Sequence, residues 1–522
     1  MARWLGLILA LAAFSNLSEA YRFLVIFPLP GKSHNILGSN VVNHLLQAGH
    51  EVTFVTPFPV KNPHPNLQQL DVSSNFELMK EEFMNVTALL NNEISFNNPI
   101  MMFQFTNDLF AKTVENPNVA KVLGDTNQKF DAVIAEWMYN DAYSGIATIF
   151  DCPFIWLSTI DPHWIILSLI DESTNPAYVP DSLSSSIPPF NFKQRVSGLL
   201  LQLVASAFKT LYWNGVVEGE VRRLIGPYLV QRGKPIPPFL EVSHNASLVL
   251  GNSHVSLGQS IRLPQNYKPI AGYHINPKVA PLPEDLKKLL DNAKNGLIYF
   301  SMGSNLKSKD LPDDLKQGIL KIFRDLKQTV LWKFEEAIPN LPKNVHIVQW
   351  APQHSILAHP NCILFITHGG LLSTTETVHF GKPIIGIPVF GDQFVNIERA
   401  VSRGFAIKVP LSYTMLDEFK AAIDEAISNP KYKNKVKELS EIYHDRPVPP
   451  SKELVHWVEH VVRTGGAPHL RSPALNVPCY QKYYLDLLAV IAAIILVLVV
   501  ALKLSLRVLR CNKKQNLKKK KN

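Results

Sequence analysis

Two series of short, unbroken apolar runs alternate with helix-length amphipathic stretches along this chain, and that alternation narrows the fold more than any other feature. The first series opens at Phe23 to Pro28, a run free of charges, as in a strand covered on both faces. After a loop through Gly31 the spacing predicts a helix over Asn35 to Ala48, stopped by Gly49, and then a strand from Glu51 to Thr56. Asp131 to Ala135 and Phe154 to Ser158 read as further parallel strands. The second series has strands near Leu297–Ser301, Val330–Lys333, Val345–Val348, Ile363–Thr367, Ile384–Ile387 and Ala406–Val409, with helices between them such as Asp313 to Leu326 and Leu416 to Ile427. Strands that alternate with helices imply parallel sheets, and 522 residues suit two or three domains. Two doubly wound α/β halves facing across a cleft would place ligands at the C-terminal ends of both sheets. The first unit lacks GxGxxG, so a nicotinamide or flavin site is not indicated there.

The two ends are not ordinary globular sequence. Residues 1–20 carry Arg3, an apolar run from Trp4 to Phe14, and then Ser18-Glu19-Ala20, the layout of a cleaved signal peptide. Near the other end Leu487 to Leu502 contains no charge. Tyr483, Tyr484, Lys503 and Arg507 flank it as interfacial anchors, which extends it towards the ~20 residues of a membrane span. The net charge of +9 comes from this end: residues 503–522 hold nine Lys or Arg and no acid, and the rest of the chain has 43 basic against 43 acidic residues. The basic pI therefore gives no indication of nucleic-acid binding. It orients the tail to the cytoplasm, and with a signal peptide in front it predicts a single-pass type I protein with its bulk in the lumen. Lys519 and Lys520 match the dilysine pattern that returns such proteins to the endoplasmic reticulum, although a polybasic tail can equally bind anionic lipid. Of four cysteines, Cys511 lies in the tail, and Cys152, Cys362 and Cys479 show no metal spacing and no disulfide scaffold. Sequons at Asn85 and Asn245 are consistent with a lumenal surface.

One stretch, Trp350 to Asn396, concentrates the chemistry. His368-Gly369-Gly370 sits where an apolar strand hands over to a helix opening near Ser373. A Gly-rich turn of this kind lets a phosphate approach backbone N–H groups, and the helix N-terminus adds about +0.5 of a charge. Glu376, one turn into the helix, is placed to hold ribose hydroxyls. Asp392-Gln393 follows the next strand, and Trp350 supplies a flat face for a base. Base, ribose, diphosphate and sugar each have a partner, which is the pattern of a nucleotide-sugar site.

With these residues in order, the sequence resembles the UDP-glycosyltransferase family, the membrane-anchored animal type usually called UDP-glucuronosyltransferases. The resemblance runs from the signal peptide to the dilysine tail and is most specific over 350–396. Leu371-Leu372-Ser373-Thr374 and DRPVPP at 445–450 look more like invertebrate members. It implies a GT-B fold: a signal peptide at 1–20, an N-terminal acceptor domain at 21–255, a linker at 256–283, a C-terminal UDP-sugar domain at 284–445, a return helix and juxtamembrane segment at 446–482, a transmembrane helix at 483–506 and a cytosolic tail at 507–522. It also implies roles. Trp350 would stack on uracil, with the Ala351 backbone reading its edge and Gln353 reaching the ribose region. His368 would bond the diphosphate with Gly370 and Ser373, Glu376 would take the ribose, and Asp392 with Gln393 the sugar hydroxyls. Ser301, Gly303 and Ser304 would close over the phosphates. Plant relatives carry Asn just before the Ser; Leu372 stands there in this chain, which leaves one phosphate contact open.

By the same resemblance His34, at the start of the first helix, is the base that takes the acceptor's proton. An imidazole titrating near pH ~6.5 is largely neutral at lumenal pH. A carboxylate should orient it, and here the family's Asp position holds Glu136, with Asp141 five residues on; both stay open as the partner. Attack opposite UDP would invert the anomeric centre, and the absence of a DxD-type pair implies no metal and no cofactor beyond the UDP-sugar. Residues 35–215 would set the acceptor, a small lipophile such as a phenol, steroid or xenobiotic, in detoxification-type conjugation; residues 160–215 in particular read as a variable acceptor-binding region. UDP-glucose and UDP-glucuronate both stay open, as does assembly into homo-oligomers. A reading of another class is an inactive lumenal glycan-binding receptor on the same fold, which loss of His34, Glu376 or Asp392 would have signalled.

Overall fold

The computed structural model describes residues 20–79, 87, 90–91, 99–304 and 306–519. Nearly all of the expected signal peptide, the Asn85 sequon and Lys520 lie outside the described residues. The first half forms a seven-stranded, all-parallel sheet in the order β3-β2-β1-β4-β5-β6-β7. Its strands are β1 (Arg22–Ile26), β2 (Glu51–Thr56), β3 (Leu67–Asp71), β4 (Ala132–Trp137), β5 (Phe154–Ser158), β6 (Leu248–Gly251) and β7 (Tyr267–Pro269). The chain starts in the middle, winds out to β3, then returns to the other side of β1. That reversal opens a crevice at the C-terminal ends of β1 and β4, the position where doubly wound sheets bind ligands. Helix α1 (Lys32–Gln47) leaves β1 there and begins three residues earlier than the sequence spacing predicts. It packs close to the strand end: a Cβ on Gly38 would lie 2.6 Å from the Phe27 ring, so only glycine allows the helix this near.

The second half forms a six-stranded parallel sheet, β10-β9-β8-β11-β12-β13, with β8 (Leu297–Ser301), β9 (Thr329–Lys333), β10 (Val345–Val348), β11 (Cys362–Thr367), β12 (Ile384–Gly386) and β13 (Ala406–Lys408). Its winding repeats that of the first sheet, so its switch point lies between β8 and β11. The central strands β8 and β11 are buried on both faces, as their uninterrupted apolar sequences require, while β10 and β13 at the edges are only partly covered.

Four other features bear on function. Strand β7 falls within 256–283, so that expected linker contributes the edge strand of the first sheet. In the 160–215 region, helix α2 (Phe192–Phe208) carries no fully buried residue, and Leu200, Leu203 and Val204 are more than half exposed. Beyond the second sheet, helix α6 (Pro450–Arg463) returns to the first domain. Its Leu454, Val458 and Val461, at the i, i+4, i+7 spacing of one helix face, join the cluster of Phe23, Leu37, Val41 and Leu45. Residues 472–522 form a separate compact unit. Its helix α7 (Leu485–Lys519) contains one segment, Leu485–Lys513, long and apolar enough to cross a membrane. The helix continues through the basic tail instead of stopping at 506, because Lys, Arg, Leu and Gln are good helix formers and no Gly or Pro interrupts them.

Candidate active site

His34 stands in the first turn of α1, facing the end of β4. Its Nδ1 is hydrogen-bonded to Glu136 Oε1. Glu136 lies within β4 rather than after it, is almost wholly buried, and its Oε2 has no hydrogen-bond partner among the described residues. Burial alone would lower the imidazole's pKa. The neighbouring Glu136 charge and hydrogen bond outweigh that, Asp392 of the second domain adds to them, and the net shift is upward from 6.5. Asp141 is engaged elsewhere: Oδ2 accepts from Lys209 Nζ at 2.5 Å and Oδ1 from the Trp137 indole at 3.3 Å. Of the two candidate carboxylates, Glu136 is the one in contact with His34.

Across the cleft, the loops after β8 and β11 close on one ring. Gly303, at φ +84°, lies so near His368 that a Cβ would sit 2.5 Å from the imidazole, and one on Gly370 would sit 2.7 Å from Nε2. Burial and the positive charge of Lys333 push His368 down to about 4, so it is a neutral hydrogen-bonding group. Lys333 Nζ donates to the Gly303 carbonyl at 2.8 Å and pairs with Glu335 at 3.0 Å. Helix α4 (Leu371–His379) starts at Gly370 with no side-chain cap, so its first-turn N–H groups are left for an anion. Ser301 Oγ accepts from the Gly303 N–H at 3.2 Å, shaping the β8 loop, and Ser304 follows in the same turn. Leu372 turns out to pack against the first domain's cluster with Phe23 and Leu454, an apolar contact where an Asn would be polar.

Glu376 is the most heavily partnered group here. Helix α3 (Gln353–Ala358) presents Gln353 Nε2, which donates to Glu376 Oε2 at 2.5 Å and to Ser373 Oγ at 3.3 Å. Gln353 Oε1 accepts from the Tyr299 hydroxyl at 3.2 Å. On the other oxygen, His354 Nε2 stands 3.0 Å and His274 Nε2 3.5 Å from Oε1. Burial would raise the pKa of this carboxyl, but the two histidines more than reverse it and hold it well below the usual range. Trp350 remains 55% exposed, with Lys32 Nζ of the first domain 4.5 Å and Lys333 Nζ 5.9 Å from its ring centroid. Ala351, the next residue, is buried.

Helix α5 (Gln393–Ser402) follows Asp392. Asp392 Oδ2 accepts from Asn396 at 2.9 Å, and burial raises its pKa against the opposing pull of Asn396 and His34. Gln393 is buried; its Oε1 takes the N–H groups of Val389 at 2.9 Å and Phe390 at 3.2 Å, so its carbonyl serves the loop. Nearly two turns on, Arg399 pairs with Asp161 of the first domain at 2.7 Å, tying the two halves beside the site. Lys32, Lys333, His274, His354 and Arg399 are not singled out by the sequence, although His354 directly follows Gln353 in the donor stretch. Asn245 is exposed, and its side-chain oxygen accepts from Arg471.

A family model described as UDP-glucoronosyl and UDP-glucosyl transferase matches residues 24–522. The chain is similar to UDP-glycosyltransferase UGT5 of Dactylopius coccus, 32% identical over 96% of this chain and 95% of that one. It is similar to UDP-glucuronosyltransferase 2C1 of Oryctolagus cuniculus, 28% identical over 89% and 94%. Among solved structures it resembles the glycosyltransferase of kitacinnamycin, with a TM-score of 0.55 and 15% identity over 85% of this chain and 100% of that one. It also resembles the calicheamicin glycosyltransferase CalG4, with a TM-score of 0.54 and 16% identity over 85% and 99%. These two likenesses show the GT-B fold. The paired parallel sheets, with their switch points carrying His34 and His368, and the family match along the chain lead to one conclusion: the protein belongs to the UDP-glycosyltransferase family and is a sugar-transferring enzyme.

Proposed function

We propose that the enzyme transfers glucose or glucuronate from its UDP-sugar to a hydroxyl of a small lipophilic acceptor, with inversion. The observation that carries this is the His34–Glu136 pair, held by the first domain close enough to the second for the Asp392 charge to act on it. Neutral His34 accepts the acceptor's proton as its oxygen attacks the anomeric carbon, and Glu136 stabilises the imidazolium that forms. The C1–O bond to UDP breaks through an oxocarbenium-like state. Charge gathering on the diphosphate is met by His368 and the open N–H groups of α4, which are fixed before reaction. Trp350 stacks on uracil with the Ala351 backbone at its edge, and Gln353 and Glu376 hold the ribose. Asp392 and the Gln393 amide hold the sugar. Nothing in this scheme calls for a metal ion.

A lipophilic acceptor is supported by the aromatic groups around Glu136. The Trp137 ring lies 5.1 Å from that of Tyr139, which packs on His163 at 5.3 Å and on Phe103 at 6.4 Å. The apolar helix segment at 485–513 supports anchoring in the endoplasmic reticulum membrane with the two domains lumenal. The test is turnover by membranes carrying the full chain, with a phenolic acceptor and either UDP-glucose or UDP-glucuronate. A β-linked conjugate from one α-linked donor is expected. An α-linked product, or none with either donor, contradicts the proposal.

A further inference from the structure

We propose that His274, His354 and Glu376 form a binding site for a divalent transition metal of the zinc type, and that the metal, when bound, withdraws Glu376 from the nucleotide-sugar. The withdrawal rests on the role proposed above for Glu376; the metal site itself does not.

The three residues come from distant parts of the chain. His274 lies in the turn after β7, His354 is in α3 and Glu376 in α4, yet one ligand atom from each lies within 4.8 Å of the others. The His354 Nε2–Glu376 Oε1 and His274 Nε2–Glu376 Oε1 separations, 3.0 and 3.5 Å, bracket the ~3.3 Å between neighbouring ligands of a tetrahedral ion with bonds of about 2.0–2.1 Å. The imidazole rings of His274 and His354 lie 6.1 Å apart, tilted by 52°, so both can turn a nitrogen towards one point.

The second observation is His274 itself. Its side chain is wholly buried, and neither ring nitrogen has a hydrogen-bond partner among the described residues. A buried imidazole must carry at least one N–H, and a buried polar group left without a well-made hydrogen bond is destabilising. Nε2 has only the long 3.5 Å approach to Glu376 Oε1, which an ion held between the two atoms would replace with a bond to each. Glu376 also has the outer support that ligating carboxylates use, since Gln353 Nε2 donates to its other oxygen. Two imidazoles and one carboxylate suit Zn²⁺ and its Irving–Williams neighbours rather than Mg²⁺ or Ca²⁺, which prefer oxygen. The fourth position stays open to water. Binding takes two neutral imidazoles, so any proton on His354 passes to solvent as the ion enters.

The test uses the purified full-length chain in detergent micelles, titrated with ZnCl₂ against a fluorescent chelator, and then with UDP in the presence and absence of zinc. One Zn²⁺ per chain is expected, with affinity lost by about 100-fold or more in His354→Gln, whose side chain is part-exposed and should leave the fold intact by circular dichroism. His274→Ala serves as the second variant. Zinc should weaken UDP binding by about tenfold, and His354→Gln should abolish that effect. No stoichiometric zinc, or equal zinc affinity in wild type and His354→Gln, overturns the site. Zinc that binds as expected but leaves UDP affinity unchanged overturns the withdrawal of Glu376. Zinc binding in a chain that turns over no UDP-sugar supports the metal site and contradicts the glycosyl-transfer proposal instead.

Discussion

His34 is charged more readily than a free imidazole, and for a general base that is a handicap on the acid side. Its pKa lies above 6.5 because the Glu136 charge and hydrogen bond outweigh burial. In the free enzyme kcat/KM should therefore rise with pH through a value above 6.5, as the imidazole loses its proton. Glu136→Gln removes the charge while keeping an oxygen near Nδ1. The acid limb should move to lower pH and the maximal rate should fall by about 10²-fold or more, as a pH–rate profile will show; an unmoved limb means that Glu136 does not act on His34. The choice between Glu136 and Asp141 was not legible in the sequence. It is settled at the level of contact by Lys209, 68 residues from Asp141, which no local pattern links to it. His274 is hidden for the same reason: its relation to Glu376 exists only once the turn after β7 is folded against α4.

At the scale of elements, the donor half was the more readable because its signals are local. A strand, a Gly-rich turn and an uncapped helix are consecutive in sequence; β11 and Gly369-Gly370 occur where the sequence places them, and α4 opens at Leu371, two residues before the expected start near Ser373. The first sheet was readable only at β1, β2, β4 and β5, since β3, β6 and β7 are short or partly polar. Helix α6 could be recognised as amphipathic, but not what it covers. It covers the first domain, far from its neighbours in sequence, and Leu454 is fully buried there. Leu454→Ala should cost about 2–5 kcal/mol. Calorimetry should show the loss as a lowered unfolding temperature of the first domain; an unchanged temperature would mean that α6 does not contribute to that core.

For the whole molecule the question is how two separately wound domains hold a reaction between them. Asp161 and Arg399 join them through a pair whose side chains are 13% and 9% exposed, too buried for solvent to screen. Asp161→Asn leaves Arg399 charged and without its carboxylate, and should destabilise the protein by about 3–5 kcal/mol in chemical denaturation. A change below about 0.5 kcal/mol, the size expected of a surface pair, contradicts a bridging role. The division of labour is the central claim: the second domain binds the donor, and the first supplies the base. It is tested most directly by turnover and UDP affinity of His34→Ala in the full-length enzyme. Turnover should fall by about 10²–10⁴-fold while UDP affinity stays within about threefold of wild type. Near-normal turnover in that variant would contradict the assignment of His34 as the base.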